Sequence, residues 1–96
     1  MARRRYLLAY DIADPKRLRK ICTLMEDHGE RLQYSVFLCD LSLAELVELE
    51  ARVIAAMDLS LDSVVQLDLG AVSSCRPVRW FGKRRLLPSS GGPQIV

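Results

Sequence analysis

Among the 96 residues are twelve carboxylates, one histidine and three cysteines, and the acid with the most telling position is Asp11. It follows the apolar run RYLLAY of residues 5 to 10 and precedes an Asp-Pro pair. A carboxylate so close to a buried strand is costly unless a cation or a hydrogen-bond donor meets it. A turn amide or a neighbouring arginine would serve. So would magnesium, which takes about six oxygens and keeps several waters, so that one or two carboxylates plus a substrate phosphate complete its shell. One chain offers one such acid; a two-fold axis beside the strand would supply the second. A metal held there polarises a phosphoryl oxygen and activates water for phosphodiester cleavage.

The other chemistry-bearing side chains give weaker patterns. His28 is a general base by type, yet its place before Gly29, at the end of a helical stretch, equally suits the negative end of the helix dipole. Cys22, Cys39 and Cys75 are far apart and lack Cys-x-x-Cys or Cys/His spacing, the pattern of reduced structural thiols. No glycine-rich phosphate loop and no Ser/His/Asp set is present. Arg17, Arg19 and Arg31 offer planar donor forks to phosphate oxygens, and the runs Arg3 to Arg5 and Lys83 to Arg85 add sequence-independent attraction to a polyanion. Tyr10, Tyr34 and Phe37 could stack on bases, or be core.

Charge is unevenly placed. Residues 1–39 carry eight Lys/Arg against five Asp/Glu, residues 40–70 one against seven, and residues 71–96 five against none, which gives +3, −6 and +5. Such segregation favours a surface that attracts a polyanion. With half of the residues hydrophobic and about a quarter charged, the chain has the composition of a globular domain. No apolar run nears the roughly 18 residues that span a bilayer, and no secretion signal is evident, so no membrane is expected and a cytoplasmic location is.

The elements that must position these groups follow from spacing. RYLLAY is a first strand. Asp14-Pro15 is an N-cap followed by proline at N1, opening a helix with Leu18, Ile21, Cys22 and Met25 as its buried stripe and with Gly29 as a left-handed stop. Residues 31–41 divide into two short strands around 33–35. Ser42 and Glu45 form a capping box before Leu46, Val47, Val53, Ile54 and Met57. Residues 62–70 are the next strand, and 76–82 a short additional one. Strand, helix, strand, strand, helix, strand is the ferredoxin-like α+β order, with both helices on one face of an antiparallel sheet. The other face needs cover, and a second copy is the simplest one. The expected division is a ferredoxin-like domain over 1–82 and a basic, Gly/Pro-containing tail over 83–96.

The stretches AYDIADPKRLRK, HGERLQYSVFLCDL, DSVVQLDLG and VRWFG together resemble the CRISPR-associated Cas-two family over residues 5–82. The most specific parts are Tyr10-Asp11-Ile12 after the apolar strand, and Gly29 followed by Arg31, Gln33 and Ser35-Val36-Phe37. The resemblance implies a homodimer in which Asp11 meets its symmetry mate around magnesium or manganese. It implies a metal-dependent endonuclease on single-stranded RNA or duplex DNA, with Asp11 catalytic and Tyr10, Arg17, Arg19, Arg31, Ser35 and Phe37 contacting nucleic acid. It also implies a second role, that of a non-catalytic adaptor bridging Cas-one integrase dimers on duplex DNA during spacer acquisition. Leu38 stands where an acid commonly follows Ser-Val-Phe in the family. On fold alone, a regulatory ligand-binding dimer is a third reading.

Overall fold

The structure is a computed structural model describing residues 2–83; most of the expected tail, including Arg84 and Arg85, lies outside them. The order is β1 (Arg4–Asp11), α1 (Pro15–His28), β2 (Glu30–Gln33), β3 (Val36–Leu41), α2 (Leu43–Ala56) and β4 (Ser63–Ala71), then a short 3-10 turn over Val72–Ser74. The strands form one antiparallel sheet in the order β2-β3-β1-β4, the ferredoxin-like α+β arrangement expected from the sequence.

Local chemistry sets the helix ends. The Asp14 carboxylate accepts from the Lys16 and Arg17 amides, both at 3.0 Å, with Pro15 at N1, where the missing N–H has no helical partner to lose. Ser42 and Glu45 complete their reciprocal capping box. Gly29 departs from expectation, for its φ of −163° is extended. Its requirement is steric: a Cβ would collide with the Leu38 carbonyl oxygen and the Cys39 sulfur, because α1 turns into β2 directly against β3.

Tyr6, Leu8 and Tyr10 alternate along β1 toward the helices and, with Phe37, Cys39 and Leu41 of β3, meet Ile21 and Met25 of α1 and Leu46, Leu49 and Val53 of α2. Two stripe positions are corrected. Leu49 is fully buried whereas Val47 and Ile54 are more than half exposed, since the face of α2 that meets the sheet runs through 46, 49 and 53. Leu18 is likewise 40% exposed. Residues 76–82 form no strand among the described residues; a strand requires a neighbour's ladder of hydrogen bonds, and this segment pairs with none here.

Folding also cancels much of the charge segregation. Pairing β1 with β3 and β4 sets Arg5 on Asp40 (2.7 Å) and Arg4 on Asp68 (3.0 Å), while Arg3 reaches Glu45 (2.5 Å). The Arg3 to Arg5 run, expected to face a polyanion, is thereby engaged within the chain. Hydrogen bonds from Arg5 and Arg4 hold the Asp40 and Asp68 carboxyls below the usual range, and the Ser42 amide, then Arg3, does so for Glu45. Carboxyl values that are lower in the folded than in the unfolded chain stabilise the fold above the unfolded value of about 4 and cease to as pH falls through the folded value. The melting temperature is therefore expected to hold between about pH 7 and 5 and to fall steadily below about pH 4. A flat profile down to about pH 2.5 would show that these pairs add nothing.

Candidate functional site

Side-chain alternation along β1 fixes where Asp11 stands. Tyr6, Leu8 and Tyr10 face the helices, so Arg5, Leu7, Ala9 and Asp11 face the opposite side of the sheet. Register adds the neighbours: Leu7 lies between Leu38 and Leu67, Ala9 between Val36 and Val65, and Asp11 beside Ser63. Among the described residues no helix covers this face, and the segment 74–78 lines only its Arg5, Leu7 and Leu38 end. Val65 and Leu67 are 53% and 52% exposed, an adjacent apolar pair of the kind that marks an interaction surface. Leu38, beside Leu7 on the same side, is buried, the segment after β4 lying against it through Pro77 and Val78.

Asp11 is exposed, and its carboxylate has no hydrogen-bond or ion-pair partner among the described residues. Among the described residues, neither a turn amide nor an arginine meets it. The described residues also bring no group of three or more potential metal ligands together, so one chain presents a single hard oxygen donor on the face that carries the half-exposed Val65 and Leu67.

The other expected site residues divide into two groups. Arg19, with Lys16 and Lys20, is exposed on the N-terminal half of α1 and has no side-chain partner among the described residues; these are cations free to meet phosphate. The remaining ones have contacts within the chain. Tyr10 and Phe37 are core, their rings stacked at 6.2 Å, and the Tyr10 hydroxyl donates to the Tyr34 carbonyl; burial raises the Tyr10 pKa. Ser35 turns the chain between β2 and β3, its carbonyl accepting from the Tyr10 amide at 3.1 Å. Arg31 lies over the Phe37 ring at 5.2 Å and donates to the Cys22 sulfur, with Glu26 at 3.7 Å. His28 bonds the Leu24 carbonyl through Nδ1 at 2.8 Å, as a residue at a helix end does. Cys39 is a buried thiol, pushed up to about 11 by burial.

Arg17 is the most informative of these. Its Nε donates to Asp62 Oδ2 at 2.8 Å and its Nη2 to Oδ1 at 3.2 Å, and the Asp62 side chain is 0% exposed. In the sequence Asp62 only opens the strand 62–70, with no site role. A signal for it existed: it is an acid immediately before an apolar strand, the counterpart of Asp11 immediately after one, and antiparallel pairing brings those strand ends together.

Comparison with known proteins follows the same lines. The family model described as CRISPR associated protein Cas2 matches residues 4–74. A Synechocystis protein named CRISPR-associated endoribonuclease Cas2 3 is 49% identical over 47 residues, 49% of this chain and 51% of that protein. One from Rhodospirillum rubrum, CRISPR-associated endoribonuclease Cas2 1, is 40% identical over 65 residues, 68% of this chain and 64% of its own length. The chain thus spans half to two-thirds of the first curated relatives that it matches. Among solved structures, the hypothetical protein TT1823 from Thermus thermophilus superposes with a TM-score of 0.75 at 33% identity, over 88% of this chain and 96% of that one.

Proposed function

The chain belongs to the CRISPR-associated Cas2 family, and from that premise we propose a homodimeric, metal-dependent endonuclease that cleaves phosphodiester bonds of single-stranded RNA, with duplex DNA as a second substrate. The observation that carries this reading is the shared face: Asp11 projects from the same side of the sheet as the half-exposed Val65 and Leu67 and the partly exposed Leu7, Ala9 and Val36. A second copy laid on that surface makes an isologous contact and draws the two Asp11 carboxylates toward one axis. Val65 and Leu67, already half covered, would each contribute about 1 kcal/mol, half of the roughly 1.5–3 kcal/mol of full burial.

Magnesium or manganese fits this donor set, because two hard carboxylates with waters and a substrate phosphate match its coordination habit. When bound, the ion supplies Lewis-acid polarisation of a phosphoryl oxygen and a water of lowered pKa. The rest is done by the chain. The two Asp11 residues present their oxygens without competing partners among the described residues of their own chains. Lys16, Arg19 and Lys20 hold the backbone of the substrate by charge alone, which suits cleavage without a base-reading surface.

That division of labour has a measurable signature. Arg19→Gln is expected to weaken RNA and DNA binding evenly across sequences and to reduce the slope of log affinity against log salt by about 1, read by fluorescence anisotropy. An unchanged slope would remove Arg19 from the interface.

The names of the relatives support RNA as the first substrate to assay. The direct test incubates purified protein with labelled single-stranded RNA and duplex DNA, with magnesium, with manganese and with chelator. Cleavage that appears with metal and stops on chelation supports the proposal; cleavage indifferent to chelator contradicts it. Duplex binding by a stable dimer without cleavage of either substrate would instead favour the adaptor role beside the Cas-one integrase.

A further inference from the structure

We propose that Asp62 is a positioning residue for Asp11, acting with Arg17 through the backbone of the turn between β1 and α1. The inference rests on Asp11 being the reactive carboxylate. Asp62 Oδ1 accepts from the Ala13 amide at 2.9 Å and from Arg17 Nη2 at 3.2 Å, and Oδ2 accepts from Arg17 Nε and from the Asp58 amide, both at 2.8 Å. Four bonds fill the acceptor capacity of a carboxylate. They come from three places: the turn two residues beyond Asp11, the first turn of α1, and the loop after α2.

Asp62 also directly precedes Ser63, which faces Asp11 across the β1–β4 ladder. Asp11 is therefore fixed on one side by the ladder and on the other by Ala13, two residues on, and both restraints lead to the segment 62–63. The loop that carries Asp62 is itself closed, its 61 and 62 amides donating to the Asp58 carbonyl at 3.1 and 2.8 Å, so the clamp is anchored at its far end.

Stability alone does not account for this arrangement. Burying an ion pair costs desolvation that the attraction between the charges only partly offsets, and apolar replacements are often as stable. What the pair supplies is a fixed relation between two loops that meet only at the mouth of the sheet, where Asp11 emerges. A carboxylate that is to share an ion with its mate across an axis needs such fixing, because small misplacements of a ligand cost affinity and rate steeply.

The test is a coupling experiment with two readouts, cleavage rate per folded protein and affinity of the metal-free protein for manganese followed by electron paramagnetic resonance. Asp62→Asn keeps the shape and loses the charge; it is expected to lower both by about 10- to 100-fold. In the Asp11→Ala background the same change is expected to lower neither further. Should Asp62→Asn fail to fold, Arg17→Gln, which leaves both amide bonds of Asp62 in place, is expected to act in the same direction more weakly.

If Asp62→Asn lowers only the melting temperature, leaving manganese affinity and rate per folded molecule at wild-type levels, Asp62 is structural and the proposal fails. The same holds if Arg17→Gln, as the only folded variant, leaves both at wild type. An effect that persists undiminished without Asp11 overturns it too. Failure of the underlying reading looks different: Asp11→Ala would itself keep wild-type cleavage and manganese affinity.

Discussion

Asp11→Ala is expected to reduce metal-dependent cleavage by about a thousandfold and to leave the thermal stability of the chain nearly unchanged. The size follows from what the carboxylate is proposed to hold. Charge stabilisation by a bound divalent ion at a phosphoryl transition state is worth several kcal/mol, and each 1.36 kcal/mol is about tenfold in rate. The small effect on stability follows from the surroundings: the side chain is exposed and has no internal partner among the described residues, and exposed substitutions of that kind stay within about 0.5 kcal/mol. Asp11→Asn, which keeps shape without charge, is expected to be as inactive. Single-turnover cleavage beside a melting curve measures both quantities, and wild-type cleavage by either variant would take Asp11 out of the chemistry.

The second large effect concerns Leu67. It pairs with Leu7 on the open face and is half exposed, so Leu67→Glu alters the proposed interface and leaves the core alone. In a two-fold contact each substitution meets a desolvated apolar surface, and two new carboxylates enter the interface together. Dimer affinity is expected to fall at least about 100-fold, about 2.7 kcal/mol, with the fold intact by circular dichroism. Sedimentation velocity reads the dissociation. Cleavage and manganese binding are expected to go with it, although Asp11 is untouched. Val47→Glu, on the outer side of α2, is the control expected to remain dimeric. A Leu67→Glu protein that stays dimeric and active would place the interface elsewhere.

What was legible in the sequence is what short-range chemistry decides. Asp14-Pro15 and the Ser42/Glu45 box fix their helix ends through bonds reaching two or three residues, and the period-2 run of β1 identifies the strand that carries Asp11 to its margin. The phase of α2 was harder, because Val47 and Leu49 are both apolar and only contact with the sheet decides that 49 faces inward. Partnerships between distant residues could not be read at all. Arg17 and Asp62 are 45 positions apart, and the arginines of β1 find acids 35 to 64 positions away. An arginine spacing that looks like phosphate binding in a string of letters is thus, for Arg17 and Arg31, internal pairing in three dimensions. For Tyr10 and Phe37 the sequence leaves base stacking and core both open, as an aromatic side chain suits either, and the fold places both rings in the core.

The central claim, that two chains complete what one chain begins, is tested most directly by counting ions. Metal-free protein titrated with manganese, with the free ion followed by electron paramagnetic resonance and the molar mass by light scattering, is expected to saturate at one ion per two chains on a dimer, and Asp11→Ala is expected to abolish that binding. Saturation at one ion per chain on a monomer, or uptake indifferent to Asp11→Ala, would contradict the account.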